Sequence, residues 1–556
     1  MVMAGLGQRT PQRNISARIY LDSIHSIPIP SCFIAGSAVI AMMLPMLSSA
    51  THSVLADDDH NMLVQADWPR QQREFMEYLQ RETQTIEQAV AYHLSLPSQG
   101  SCTLEPLSDW SGGSFNVMIP VIINNSHRVA IRCPWPHRMQ SLTSPDMAGE
   151  KIRSEAATYA WVSSHCPNVP IPQLLGLGLP DGRSFTPVTR CSWFRQTYEL
   201  LRQHVQRTFF DVEYWRPFVP SSSPVVLQTG YLITDFIEPH QGTMLLRRWP
   251  SNDPAHRETL FRSLSNVLLD LIKVPLPRIG SFTISNSGQV SLSGRPLTAP
   301  LALFEAEGIP SEITPTTTYA SVDTYIEDLL HCHDTRMLHQ PNAVESDYDT
   351  KGQLATIVLW KAIRSHFTDR TLRNGPFALQ FTDLHSSNIF VDEQYNITAI
   401  VDLEWTCSLP LEMLQPPFLL SGQIQDDFVR GTDKVVMNEG AFVPVCQEFL
   451  DIFGQEQSSR ESSQKPAFDA VGVVRTAFEK KSHWYFAGLK YPRVTYSFLI
   501  HHLQPLYMPS HLFSDELDHF DATFSPCYTK DLSQFVDQKV KEKAQYDEDL
   551  RGLFKK

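Results

Sequence analysis

Phe377-Ala-Leu-Gln-Phe-Thr-Asp383-Leu-His385-Ser-Ser-Asn388-Ile-Phe-Val-Asp392-Glu-Gln-Tyr-Asn396-Ile-Thr-Ala-Ile-Val401-Asp402-Leu-Glu404-Trp405 is the stretch on which the reading of this chain turns. Two short β-favouring runs, Ile389 to Val391 and Ile397 to Val401, flank the turn formers Asp392 to Asn396, so a hairpin is expected. Its open end brings Asn388 and Asp402 together, and Asp383 sits on the loop that enters its first strand. Three oxygen donors then converge in one small volume, a set that suits Mg²⁺ and a substrate hydroxyl better than a soft metal. Asp followed five residues later by Asn is weak evidence alone, because both residues favour ordinary turns. The hairpin and the second Asp give the pair its weight.

The rest of the chain sets the frame for that island. Its 556 residues are too many for one compact core, and two to four structural units are expected. A hydrophobic fraction of 42% excludes a mostly disordered protein. The formal charge of −14 gives no global drive toward nucleic acid or an anionic membrane. Nine cysteines, scattered and without a C-x-x-C pair, read as thiols of a reducing compartment and draw no zinc site. An intracellular, cytoplasmic protein is expected. The first 56 residues differ: Arg9, Arg13 and Arg18 precede an apolar stretch from Cys32 to Leu47, short of the ~20 residues that span a bilayer. Signal anchor, organelle presequence and a wrongly assigned first exon stay open for that segment. A mitochondrial location, or a membrane attachment through residues 32–48, stays open with them.

Asp67 and Pro69 open an expected helix with Phe75, Leu79, Ile86, Val90 and Leu94 on one face, ending near Pro97. Ser114 to Ile123 and Arg128 to Cys133 predict a second hairpin through Asn124, Asn125 and Ser126. Glu150 to Ser163 reads as a helix, followed by strands near Gln173–Leu179 and Gly230–Phe236 around a helical segment at Trp193–Phe210. From Glu258 onward the pattern turns helical, with further helices near Ser321–His331 and Gln353–Phe367, a polar loop at Gln455–Lys465 and a solvated C-terminal helix.

Asp383-Leu-His385-Ser-Ser-Asn388, with Asp402 after the hairpin, resembles the catalytic loop and metal-binding Asp of the aminoglycoside phosphotransferase and choline kinase group, especially its large fungal branch. The resemblance spans roughly Leu104 to Leu414 and implies an α+β, bilobal, protein-kinase-like fold. That fold has a mainly β N-lobe, an α-rich C-lobe and a helical C-terminal extension. It divides the chain into a leader (1–56), an N-lobe (57–237), a C-lobe (238–420) and the extension (421–556). The cofactors implied are ATP or GTP with Mg²⁺, and the acceptor is a small molecule bearing a hydroxyl.

By the same resemblance Asp383 is the catalytic acceptor of the hydroxyl proton, with His385 beside it, and Asn388 and Asp402 hold the metal. Gly112-Gly113-Ser114-Phe115 resembles the turn that covers the phosphates, so Gly113, Ser114 and Phe115 are expected at the nucleotide. Arg132 stands where the family places a strand cation for the phosphates, and Glu155 matches the helix carboxylate that orients it. Tyr231 to Glu238 resembles the strand and hinge that carry adenine, with Thr234 and Phe236 facing it. One position departs: Phe381 replaces the motif's first His. That departure favours the rival reading, a non-catalytic pseudokinase that binds a nucleotide or a partner. The bland alternatives are plain turn formers at Asp383 and Asn388, a surface ion pair at Arg132 and a mere hairpin turn at Gly112-Gly113. Glu404 is left as a supporting group or an exposed strand end. Glu412, Asp426 and Asp427 could line an acidic acceptor pocket for a cationic substrate. His331-Cys332-His333-Asp334 is set aside as a metal site because its two His point to different helix faces.

Overall fold

The computed structural model describes residues 60–97, 100–210, 215–221, 226–251, 253–421, 439–461, 468–507 and 513–554. The leader, and with it the apolar stretch at 32–47, lies outside the described residues. Within them no helix is long and apolar enough to cross a membrane.

One antiparallel sheet organises the first half of the chain. Its strands are β1 (Cys102–Leu104), β2 (Ser111–Gly112), β3 (Asn116–Ile123), β4 (His127–Pro134), β5 (Leu174–Gly178), β6 (Ser184–Pro187), β7 (Phe218–Ser221) and β8 (Tyr231–Asp235). They lie in the order β1-β3-β4-β8-β5-β6-β7, with β2 also on β3. β8 comes last in sequence yet inserts between β4 and β5, so the chain leaves the sheet from its centre. The β3–β4 turn is the expected one: Asn124, Asn125 and Ser126 lie between the paired Ile123 and His127, and Asn124 and Asn125 have φ of +48° and +54°, a left-handed pair that suits the twist of a hairpin.

Strand alternation divides the sheet's two faces. Val117, Ile119, Val121, Val129 and Ile131 pack with Phe75, Leu79, Ile86 and Val90 of α1 (Trp68–Arg81) and α2 (Thr83–His93). The single helix expected over this region is thus two, broken at Glu82, whose φ and ψ of −87° and 14° interrupt the ladder. Arg132 belongs to the other set of β4 side chains, opposite that helical layer. On that second side runs α3 (Met147–His165), capped by Asp146, whose carboxylate accepts the Gly149 N–H at 3.0 Å.

α4 (Trp193–Phe210) interrupts the sheet strands, as the sequence predicts. Past β8 the chain becomes helical, with α5 (Pro254–Ile272), α6 (Ala299–Ala306), α7 (Val322–His339) and α8 (Asp347–Phe367). Later come α9 (Glu439–Glu461), α10 (Ala470–Glu479), α11 (Ser482–Lys490), α12 (Phe513–Phe524) and α13 (Leu532–Phe554). The polar loop expected from Gln455 is mostly helix, because α9 continues to Glu461 and Glu456 is held there by Arg262 and Asn266 of α5. Short antiparallel pieces sit among these helices: β9 (Thr243–Met244), β10 (Ser281–Ile284), β11 (Val290–Gly294), β12 (Phe377–Phe381), β13 (Ile389–Val391), β14 (Ile397–Ile400) and β15 (Thr406–Pro410). The fold is α+β and bilobal, with a mainly β lobe followed by an α-rich one. The main core includes Phe115 of the first lobe and Trp405 of the second, whose rings meet edge to face at 4.7 Å.

Candidate functional site

The predicted hairpin forms as β13 and β14, paired from Ile389↔Ile400 to Val391↔Ile397. Asp392 closes its turn: one carboxylate oxygen accepts the N–H groups of Gln394 and Asn396, both at 2.9 Å. At the open end the Val401 N–H donates to the Asn388 carbonyl at 2.9 Å, so the Asn388 backbone lies beside the residue that precedes Asp402.

Two strands fix the flanks. β12 delivers Asp383 and β15 follows Trp405, and the two pair with Phe381 opposite Thr406. Thr382 Oγ1 donates to the Trp405 carbonyl at 2.5 Å. Asp383 and Asp402 line one small concavity with Phe381, Thr382 and Trp405. Phe381, standing where the motif has His, is partly buried against the main core and supports the loop by packing.

The loop from Asp383 to Asn388 closes on itself. Asn388 Nδ2 donates to the Asp383 carbonyl at 3.0 Å and lies 3.3 Å from His385 Nε2. Both contacts use the amide nitrogen and leave its oxygen as the hard donor. His385 Nδ1 lies 2.5 Å from Ser387 Oγ, and its Nε2 lies 3.8 Å from the Asp383 carboxylate. These contacts make His385 an organiser of the loop.

Across the lobes, Arg132 unites the pieces that the sequence had kept apart. Its guanidinium pairs with Glu155 on α3, donates to Asp402 Oδ1 at 2.6 Å and approaches Glu404 Oε2 at 3.4 Å. The Arg–Glu pair is the expected one. The direct bond to Asp402 was not expected, and it commits the strand cation to a carboxylate of the other lobe.

Glu404 is no exposed strand end, being 2% exposed. Its Oε2 pairs with Lys151 and accepts from Asn116 Nδ2 at 2.5 Å. Lys151, 1% exposed, donates in turn to Asn116 Oδ1 at 2.6 Å. The sequence reading missed Lys151 and Asn116 as members of this cluster. The available signal was spacing: Lys151 lies four residues before Glu155 and therefore on the same helix face.

Three carboxylates thus face two cations, with Glu155, Glu404 and Lys151 buried and the Asp402 side chain 27% exposed. Burial opposes the Asp402 charge, but Arg132 and Lys151 overcome it and hold the carboxyl below its ordinary range. Burial pushes the Glu155 carboxyl up against the pull of Arg132 and Lys151. Burial, and then the neighbouring Asp402 charge, push Glu404 up as well. Asp402 also carries a left-handed backbone, φ +66°, uncommon for a residue with a side chain.

The expected nucleotide residues divide. The Gly113 N–H donates to the Asn116 carbonyl at 2.8 Å and its carbonyl accepts from Trp135 Nε1 at 3.0 Å, so both groups serve the turn itself. Ser114 is exposed, while Phe115 is buried on Trp405. Thr234 is buried in β8 between β4 and β5, and Phe236 stacks under the Arg128 guanidinium at 4.2 Å. Glu412 is buried and accepts the Asp369 N–H at 2.9 Å; Asp426 and Asp427 lie outside the described residues. His333 is buried and His331 pairs with Glu312, and among the described residues no group of three or more His, Cys, Asp or Glu could hold a metal.

No family model matches the chain, and no curated protein does. Among solved structures it is similar to a type I macrolide 2′-phosphotransferase, at 11% identity and a TM-score of 0.33, over 78% of this chain and 94% of that one. It is similar to an aminoglycoside phosphotransferase at 10% identity and a TM-score of 0.34, over 82% of this chain and 98% of that one. A Plasmodium vivax ethanolamine kinase gives 12% identity and a TM-score of 0.33, over 77% and 84%. At these scores the likenesses carry no weight for chemistry, which rests on the chain's own geometry.

Proposed function

We propose that the chain transfers the γ-phosphoryl group of ATP or GTP to a hydroxyl of a small-molecule acceptor. The observation that carries this reading is the bridge from Arg132 to both Glu155 and Asp402, which joins the sheet, α3 and the hairpin beside Asp383. A buried cation shared between lobes, next to an ionised carboxylate and a neighbouring Asp on a tight loop, is what phosphoryl transfer asks of a protein: positioning and charge neutralisation.

Asp383 takes the acceptor hydroxyl's proton as the new oxygen–phosphorus bond forms and the β–γ bridge breaks, its electron pair leaving on the nucleoside diphosphate. Asn388 and Asp402 would hold Mg²⁺. Their fit is chemical: one amide oxygen and one carboxylate kept ionised, the small hard-oxygen set that Mg²⁺ uses together with phosphate oxygens. When bound, the ion neutralises phosphate charge. Arg132 exchanges one carboxylate for the non-transferred phosphates, and Glu155 keeps its guanidinium oriented. A protein substrate is disfavoured by the lack of Asp-Phe-Gly and Ala-Pro-Glu segments in the sequence.

The pseudokinase reading has its own support, in Phe381 and in the Gly113 N–H turned to the Asn116 carbonyl. Thermal stabilisation of the full chain by ATP or GTP, with Mg²⁺ and with EDTA, followed by turnover with hydroxyl compounds, separates the two. Mg²⁺-dependent stabilisation with phosphorylated product is expected. Stabilisation without any turnover across the acceptors assigns the pseudokinase.

A further inference from the structure

We infer that Lys151 is a positioning residue of this site, acting through Glu404 on the backbone that aims Asp402. The inference rests on the phosphotransferase reading and extends it to a residue to which the resemblance assigns no role.

Lys151 Nζ has three donors. One meets Glu404 Oε2, one meets Asn116 Oδ1 at 2.6 Å, and Glu155 Oε2 stands 4.0 Å away. The ammonium is therefore tied to the start of β3, to the segment after Asp402 and to its own helix at once. Glu404 Oε2 receives Lys151, Asn116 Nδ2 and, at 3.4 Å, Arg132, which pins a side chain two residues beyond Asp402. Such pinning has something to hold. A left-handed Asp persists where its neighbours over-determine the backbone, and here Val401, Glu404 and Trp405 are all tied down.

Two parallel bridges then link α3 to the hairpin end. Glu155 acts through Arg132 on the Asp402 carboxylate, and Lys151 acts through Glu404 on the Asp402 main chain. The second bridge sets the direction of the carboxylate, while the first holds it directly through the Arg132 guanidinium.

The test is the Mg²⁺ concentration that gives half-maximal stabilisation of the full chain by saturating ATP, in wild type, Lys151→Met, Lys151→Arg and Asp146→Ala. The last variant weakens α3 at its cap and leaves both bridges intact. Loss of a group that orients a metal ligand typically weakens metal binding about 10–100-fold, so Lys151→Met is expected to raise that concentration about tenfold or more. Lys151→Arg is expected to recover part of the loss, and Asp146→Ala to lower stability with the Mg²⁺ midpoint unmoved. Should Lys151→Met fail to fold, Lys151→Met with Glu404→Gln leaves neither charge buried alone, and the same shift is expected. An unmoved midpoint in the Lys151 variants overturns the positioning role, as does an equal shift in Asp146→Ala. A wild type that shows no Mg²⁺-dependent nucleotide stabilisation overturns the phosphotransferase reading itself, and the positioning role with it.

Discussion

Asp402→Asn separates a residue kept for chemistry from one kept for stability. In this cluster three carboxylates, Glu155, the partly exposed Asp402 and Glu404, face Arg132 and Lys151, so the substitution leaves two charges of each sign. Two unit charges 4 Å apart are worth about 4 kcal/mol at an effective dielectric near 20. The variant loses that order of attraction between Asp402 and Arg132, and it is relieved of a repulsion of the same order between Asp402 and Glu404. Arg132 keeps Glu155, so it is not left buried and alone, the situation that costs about 3–5 kcal/mol. Asn also tolerates the left-handed φ of +66° at least as well as Asp, so no backbone strain is added. The opposing electrostatic contributions cancel to on the order of 1 kcal/mol. Urea unfolding in EDTA reads this directly as a shift in midpoint at constant slope. Mg²⁺-dependent stabilisation by ATP is expected to disappear in the same variant. Destabilisation of the metal-free chain by more than about 3 kcal/mol would refute the reasoning, because Asp402 would then be the structural counter-ion of Arg132.

Asp383→Asn is expected to keep Mg²⁺-dependent ATP stabilisation and to lower turnover by about 10²–10⁴, the usual contribution of a positioned proton acceptor; unchanged turnover removes Asp383 from that role. Glu412 yields a pH prediction. Burial pushes its carboxyl up to about 7, above its ordinary 4.5, so the folded chain binds more protons than the unfolded one between those values. This contribution to stability is therefore full below pH 4.5 and is lost as pH rises to 7, at up to about 1.4 kcal/mol per pH unit. Glu412→Gln should flatten that decline in urea midpoints measured across the window, and a parallel curve for wild type and variant counts against it. Glu307 has the opposite sign. Burial opposes its charge, but Arg493 and His60 bring its carboxyl down to about 2, so its stabilisation holds above pH 4.5 and fades as pH falls toward 2. Arg493→Met leaves Glu307 buried without its main cationic partner, and a loss of about 3 kcal/mol at pH 7 is expected in urea unfolding.

What the sequence could reveal follows from the range of the forces involved. The hairpins were legible because their determinants are local: Asn124-Asn125 adopts the required turn by itself, and Asp392 caps its own loop. The break at Glu82 was not, because α1 and α2 both lay apolar residues on the same sheet face, and a continuous hydrophobic stripe does not record a change of axis. Asp383, Asn388 and Asp402 were legible for the same local reason, lying within twenty residues on one loop and one hairpin. Lys151 and Asn116 were hidden. An amide at a strand start and a lysine on a helix have no local signature of burial, and their meaning comes from Glu404, more than 250 residues away. Pairing of Arg132 with Asp402 belongs to the same class, since it exists only when the lobes close on each other. That closure gives the site its character. A strand cation and a helix lysine are both neutralised by carboxylates from the far lobe, so on the proposed function the phosphate end of the cleft is electrostatically assembled before any nucleotide arrives. On that reading a nucleotide displaces Asp402 from Arg132 when it binds. Its affinity should consequently depend on how readily Asp402 exchanges the guanidinium for another cation, and removing Mg²⁺ should weaken ATP binding more than the loss of phosphate–metal contacts alone would do.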